Sequence, residues 1–118
     1  MQTLKNRTTG KDVATSVKVA ATFWQRFRGL MLKGRLDTGE ALAFRPGGSI
    51  HMMFMRFPID AIFCDSEGRV TRVARNLRPW IGIATAPRGS KLLIELGAGA
   101  ARDVEAGHLL ELAESPTA

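Results

Sequence analysis

The sequence is poor in the residues that build disulfide frameworks and structural metal sites. Its 118 residues include one cysteine, Cys64, and two histidines. A lone cysteine excludes an intrachain disulfide, and three residues cannot supply the four Cys and His ligands of a structural zinc site. We therefore predict no metal and no cofactor, and we expect burial and backbone hydrogen bonding alone to hold the fold together.

Long apolar runs are also missing. No stretch approaches the roughly twenty apolar residues that a membrane-spanning helix requires, so no membrane span is predicted. Residues 1–10 lack the apolar middle segment of a secretory signal. Together with an unpaired cysteine, this start predicts a cytoplasmic protein.

Tyrosine is absent and acids are in the minority, since 17 Lys and Arg residues face 11 Asp and Glu residues and leave a net charge of +6. The apolar share of 45% and the charged share of 24% are ordinary for a folded domain. We expect a single domain over residues 1–118, with a core at about 13–112 and frayed termini. The positive charge is compatible with an anionic partner.

Short patterned runs between glycines and prolines predict many strands. These runs are Val13–Val19, Glu40–Arg45, Asp60–Asp65, Arg69–Arg75, Trp80–Ala84, Lys91–Leu96 and His108–Leu112. The nearly continuous apolar run Ile50–Phe57 predicts a central strand that is covered on both faces. Gly68 is placed to supply the positive φ of a hairpin loop between two of the strands.

Two segments predict helices. Thr22 and Gln25 form a capping box, and the apolar spacing that follows predicts a helix at about 23–33 that ends at Gly34. A short helix is predicted at about 100–105. The fold class expected is therefore α+β: a mainly antiparallel β-sheet curled into a small barrel-like domain, with one N-terminal helix and a short C-terminal helix.

A histidine, an arginine and an aspartate interrupt the apolar stretch 50–60. A guanidinium among apolar side chains is costly to bury unless it is paired, so Arg56 either pairs internally with Asp60 or lines a pocket and binds a carboxylate or phosphate. The pocket hypothesis makes the protein a non-enzymatic binding module for a small anionic molecule or a peptide. Its candidate lining consists of Arg28, His51, Met55, Arg56, Asp60 and Glu95.

Two alternative functions stay open. In the first, the protein is an enzyme in which His51 works with Asp60 or Glu95 as acid/base groups, although the pattern assigns no catalytic residue. Glu95 alternates with apolar neighbours and is otherwise expected on a half-solvated strand face. Cys64 lies mid-strand and is expected to be a small buried residue rather than a nucleophile.

In the second alternative, the protein binds nucleic acid or another anionic surface, because residues 68–94 contain six cations and no acid. The candidate residues are Arg69, Arg72, Arg75, Arg78, Arg88 and Lys91. Strand alternation sends Arg69 and Arg75 to one side and Arg72 to the other, which argues against one continuous basic stripe and makes nucleic acid the less favoured partner.

Several segments, in order, resemble the prokaryotic family known as domain of unknown function 192, over about Val13 to Leu112. The matching segments are 25–31, 41–44, 50–60, 63–65, 68–70, 93–96 and 98–99. Arg26 and Gly29-Leu30-Met31 match the family's Glu-Arg-x-x-Gly-Leu-Met helix, with Gln25 in place of the usual acid. The resemblance implies a compact single domain rich in strands, and it implies no activity, substrate or catalytic residue.

Overall fold

Nine strands are present in the residues that the structure, a computed structural model, describes: 2–20, 36–45, 49–52 and 55–114. The strands are β1 (Gln2–Asn6), β2 (Asp12–Ala20), β3 (Glu40–Phe44), β4 (Ile50–His51), β5 (Ile59–Cys64), β6 (Val70–Leu77), β7 (Ile83–Ala84), β8 (Leu92–Gly97) and β9 (Leu110–Glu114).

Seven of these strands form one mixed sheet in the order β6-β5-β8-β3-β2-β1-β9, while β4 and β7 form a separate two-stranded ribbon. The pair β2 and β3 is parallel, and the other neighbours are antiparallel. The large sheet curls into a half-barrel, so its edge strands meet at one end through an isolated bridge between Arg69 and Leu109. The Leu110 amide donates to the Gly68 carbonyl at 2.9 Å beside this bridge.

The curl gives the sheet two buried faces. The inner cluster draws on all seven strands and contains Leu4, Ala14, Val17, Ala41, Ala43, Ile62, Cys64, Val70, Leu92, Ile94, Leu96, Ala101, Val104 and Leu110. The outer cluster contains Met52, Met55, Phe57, Ile59, Ala61, Phe63, Ala74, Ala84 and Leu93. Since β5 and β8 contribute to both clusters in alternation, all six residues of β5 and the first five of β8 are buried.

The predicted α+β class is wrong for the described part of the chain, which is all-β. The expected short helix at 100–105 is a series of turns in which amides bond to the carbonyl three residues back, as from Ala100 to Gly97 at 3.0 Å. Gly99 has a φ of 92°, in the left-handed region, which interrupts any right-handed helix at this point. The predicted helix at 23–33 lies outside the described residues.

Within the described ranges, no helix is both long and apolar enough to cross a membrane.

The prediction that Ile50–Phe57 forms a central strand is also wrong. In the described part of this segment, strand is limited to the two residues of β4, which lie in the small ribbon, and β8 and β3 occupy the middle of the large sheet. Met52, Met55 and Phe57 pack in the outer cluster. The segment is apolar because it covers one face of the sheet, and a covering segment and a central strand have the same composition.

The predicted hairpin is confirmed, since β5 and β6 pair in antiparallel fashion and Gly68 has a φ of 92°. A Cβ on Gly68 would also lie 2.3 Å from the Leu110 carbonyl oxygen. Glycine at this position is therefore needed both for the turn and for the contact between the edges of the half-barrel.

We expect Gly68→Ala to destabilise the fold by about 3 kcal/mol or more, because the left-handed backbone is strained and the β9 carbonyl must move. Gly89→Ala is the matched control, since Gly89 has a φ of 86° with no atom within 4 Å of a built Cβ. The control should lose about 1 kcal/mol. Urea denaturation of both variants measures the difference, and equal losses would contradict a special role for the edge contact.

Candidate functional site

The Asp60 carboxylate is buried on the inner face of the sheet, 1% exposed, and accepts three backbone hydrogen bonds. Its Oδ1 accepts from the Asn76 amide at 2.9 Å. Its Oδ2 accepts from the amides of Gly99 and Ala101, each at 3.0 Å. Such donors offset the cost of removing a carboxylate from water. Asp60 therefore fastens the turn after β8 to the end of β6.

The donor on β6 is available because the pairing of β5 with β6 is irregular. Ile59 lies opposite Leu77 and Ala61 opposite Ala74, so β6 contains an extra residue between these pairs. Asn76 takes up the irregularity with a φ of 53°, a conformation that asparagine tolerates better than most residues. This bend brings the Asn76 amide to Asp60.

Glu95 is fully buried, so the expectation of a half-solvated position is wrong. It pairs across the sheet with Ala61 of β5 and Leu42 of β3, which belong to or pack against the outer cluster. Asp60 pairs with Leu96, which belongs to the inner cluster. Because directly paired residues share a face, the Asp60 and Glu95 carboxylates lie on opposite faces of the sheet.

The other described residues of the predicted ligand pocket do not lie together at one site either. Arg56 is exposed, so the expectation that its guanidinium is buried among apolar side chains is wrong. Met55 is buried in the outer cluster. The backbone of His51 lies opposite Ile83 in the small ribbon, while the His51 side chain and all of Arg28 lie outside the description.

Three arginines of the basic segment bind backbone carbonyls. Arg69 Nη1 donates to the Gly107 carbonyl at 2.9 Å and Arg72 Nη1 to the Thr85 carbonyl at 3.0 Å. Arg75 Nη2 donates to carbonyls in the turn after β8. The partners of Arg69 and Arg75 lie in the chain after β8, and that of Arg72 lies beyond β7. The remaining candidates, Arg78, Arg88 and Lys91, are exposed.

A cleft of about 600 Å³ is built from other residues and lies between the start of β2 and the turn after β8. Residues 36–39 lie between these two walls and lead into β3. The lining residues are Asp12, Val13, Ala14, Thr15, Leu36, Asp37, Thr38, Gly39, Gly97, Ala98, Gly99, Ala100, Arg102 and Asp103. Of the residues predicted for a ligand pocket, Met55, Arg56, Asp60 and Glu95 do not line this cleft.

The cleft marks a gap in the sheet. Strand β2 pairs with β1 from Asp12 onward, whereas its pairing with β3 begins at Ser16. The Thr15 amide already reaches the Gly39 carbonyl at 2.9 Å, so the β3 side of β2 faces the cleft over residues 12–14. A strand edge that borders a cleft can accept an added extended segment.

Among the described residues of the lining, acids outnumber bases. Asp12, Asp37 and Asp103 contribute three acids, and Arg102 contributes one base, whose Nε lies 3.8 Å from an oxygen of Asp103. Sequence reasoning missed these acids because they are far apart along the chain. The one signal was the pair of glycines at 97 and 99, which lies in the cleft wall. In the described parts of the chain, no three His, Cys, Asp or Glu side chains are placed to hold a metal ion.

The comparisons with known proteins identify a sequence family. The profile of DUF192, described as "Uncharacterized ACR", matches residues 4–112. A UPF0127 protein of Thermococcus sibiricus is 42% identical over 102 residues, which are 81% of this chain and 64% of that protein, so the chain spans less than two thirds of this relative. A UPF0127 protein of Pyrococcus furiosus is 35% identical over 111 residues, 90% of this chain and 94% of that protein.

Two crystal structures share the fold at low sequence identity. A protein of unknown function from Novosphingobium aromaticivorans has a TM-score of 0.78 and 23% identity, over 93% of this chain and 82% of its own. A protein from Sinorhizobium meliloti has a TM-score of 0.78 and 24% identity, over 94% of this chain and 91% of its own. At such identities the likeness establishes the architecture alone.

Asp60→Asn should destabilise the protein by about 3 kcal/mol, since one of the two accepting oxygens becomes an NH₂ group that faces backbone amides. Asp65→Asn is the matched control. A single Asp65 oxygen, Oδ1, accepts from the amides of Glu67 and Arg69, so asparagine can keep both bonds. Denaturation gives the loss, and hydrogen exchange should show faster exchange at Gly99 and Ala101 in the Asp60 variant. Unchanged protection there would contradict this role of Asp60.

Cys64 is fully buried, as predicted, and burial raises the pKa of its thiol from 9.0 to about 12, with the Asp65 charge adding to the rise and Arg45 opposing it. The unfolded thiol ionises first, so the free energy of unfolding should fall as the pH rises from about 9 towards 12. Cys64→Ala should show a shallower fall in denaturation experiments across this window. Equal slopes for the two proteins would contradict the pKa shift.

Proposed function

The chain belongs to the DUF192 family of uncharacterised proteins, and we propose that this member is a non-enzymatic binding module whose cleft accepts an extended peptide with basic side chains. The observation that carries the proposal is the position of the cleft beside the edge of β2 that precedes Thr15. A peptide laid along this edge would add a short strand to the sheet.

The charge of the lining decides the class of ligand. Among the described lining residues, three carboxylates and one guanidinium favour a cationic partner over the anionic molecule suggested by composition. Asp12 and Asp37 are the acids of the lining that lie at the start of β2 and in the residues that lead into β3. An alternating peptide would direct every second side chain towards them.

A binding role is supported over acid/base catalysis by the surroundings of Asp60. Both of its oxygens accept backbone amides, and those of Gly99 and Ala101 belong to the wall of the cleft. Asp60 therefore fixes the backbone that forms one wall of the cleft, which is a positioning role. A general base would instead need an oxygen directed towards a substrate.

The test uses two fluorescein-labelled octapeptides, one of alternating valine and lysine and one of alternating valine and glutamate. Fluorescence anisotropy should show binding of the lysine peptide at least roughly tenfold tighter, equal to about 1.4 kcal/mol. Ala98→Trp fills the cleft with an indole and should abolish this binding. Ala106→Trp places the same side chain on an exposed turn outside the lining and should leave it unchanged.

Equal affinity for the two peptides would contradict the proposed charge selection. Equal loss of binding in Ala98→Trp and Ala106→Trp, or no loss in either, would place the binding outside the cleft. Circular dichroism of both variants confirms that each is folded before binding is compared.

A further inference from the structure

We propose that the loop 78–83, here called the apolar loop, is a docking surface for an anionic lipid membrane. Trp80 is 57% exposed, Ile81 69% and Ile83 71%. Three large apolar side chains so close in sequence are rarely left in water without a function. The surface is built from other elements than the peptide cleft, so it stands independently of the proposed function.

Backbone contacts hold the apolar loop against the buried part of the protein. The Met52 carbonyl accepts from the Trp80 amide at 2.7 Å, and the Met52 amide donates to the Gly82 carbonyl at 2.8 Å. The Gly82 amide closes the loop onto the Arg78 carbonyl at 2.9 Å. Met52 itself is fully buried in the outer cluster. These hydrogen bonds therefore fix the backbone of the loop, and its large apolar side chains remain at the surface.

The conformation of the loop is strained at its aromatic residue. Trp80 has a φ of 70°, which a bulky L-residue rarely adopts. A Cβ on Gly82 would lie 2.8 Å from the Arg78 carbonyl oxygen and 2.9 Å from Met52 Cγ. Glycine is therefore required where the loop packs back against these two residues. Strained backbone of this kind persists where the surrounding structure enforces it, and it is common at functional sites.

The charge around the apolar loop selects the partner. The stretch 68–94 contains six cations and no acid, and two of these cations, Arg72 and Arg78, are beside the loop. Arg78 begins the loop, and the guanidinium of Arg72 is anchored at the Thr85 carbonyl, two residues beyond Ile83. Exposed Trp and Ile side chains flanked by arginines are the composition of segments that insert into the boundary of an anionic bilayer. Nucleic acid fits this surface less well, because isoleucine provides no stacking face for a base.

Vesicle sedimentation tests the proposal with the chain as it is. The protein should sediment with vesicles of phosphatidylcholine containing about 30% phosphatidylserine, should bind less to phosphatidylcholine alone, and should be released by raised salt. Brominated acyl chains should quench the tryptophan emission of the bound protein. Trp80→Phe should remove that quenching, which would assign the inserted indole to the apolar loop.

Two matched variants separate insertion from adsorption by charge. The double variant Ile81→Ser with Ile83→Ser should weaken binding to the anionic vesicles by roughly tenfold or more, because both inserted aliphatic groups are lost. Val19→Ser is the control, since Val19 is 50% exposed on β2 and outside the loop. It should bind as the native chain does.

Three outcomes would overturn the proposal. One is no sedimentation with anionic vesicles at low salt. Another is unchanged binding of the double isoleucine variant, which would reduce the interaction to charge alone. The third combines two results: the native chain forms a dimer in size-exclusion chromatography that the double isoleucine variant does not form, and neither protein binds vesicles. The apolar loop would then be a contact between copies of this chain.

Discussion

The buried carboxylate of Asp60 is the constraint on which the geometry of this domain depends. It lies at the start of β5, yet its three hydrogen bonds reach the end of β6 and the turn after β8. Two segments far apart in sequence are thereby fixed to one side chain. Because a carboxylate with unfilled oxygens would be costly in this position, the surrounding chain folds so that amides reach it.

Because side chains along β5 and β8 point alternately to the two faces, the sheet separates two apolar regions, the inner cluster and the outer cluster. Asp60 lies on the inner side, where it holds the turn that borders the cleft, and Glu95 lies on the outer side with the segment that includes Met52 and Met55. The two carboxylates therefore serve different parts of the molecule. A site that needs both cannot form, whereas separate surfaces for separate partners can.

The half-barrel has two separate surface regions that are suited to binding partners. Where β3 starts later than its neighbour β2, the sheet has a gap with a strand edge and an acidic lining. Where the ribbon of β4 and β7 covers the outer cluster, the apolar loop projects with cations nearby. The opposite charge of these places is compatible with simultaneous partners of opposite charge, although the net charge of the chain is positive.

Local patterns were sufficient for some elements and misleading for others. The β5–β6 hairpin is readable because a positive-φ glycine lies between two alternating runs. The turns at 100–105 have helical composition, but Gly99, which precedes them, is left-handed, and Asp60 accepts from the amides of Gly99 and Ala101. Strand β1 was not predicted, since its five residues are stabilised by pairing with β9 from the far end of the chain.

By itself, the sequence determined the family, the richness in strands, the hairpin at Gly68 and the burial of Cys64, because each depends on local spacing or on motifs. Only the tertiary structure decided that Arg56 is exposed, that Asp60 and Glu95 lie on opposite faces, and which acids share a cleft. The physical reason is that strand register and sheet curl, which bring distant residues together, are set by long-range pairing and burial.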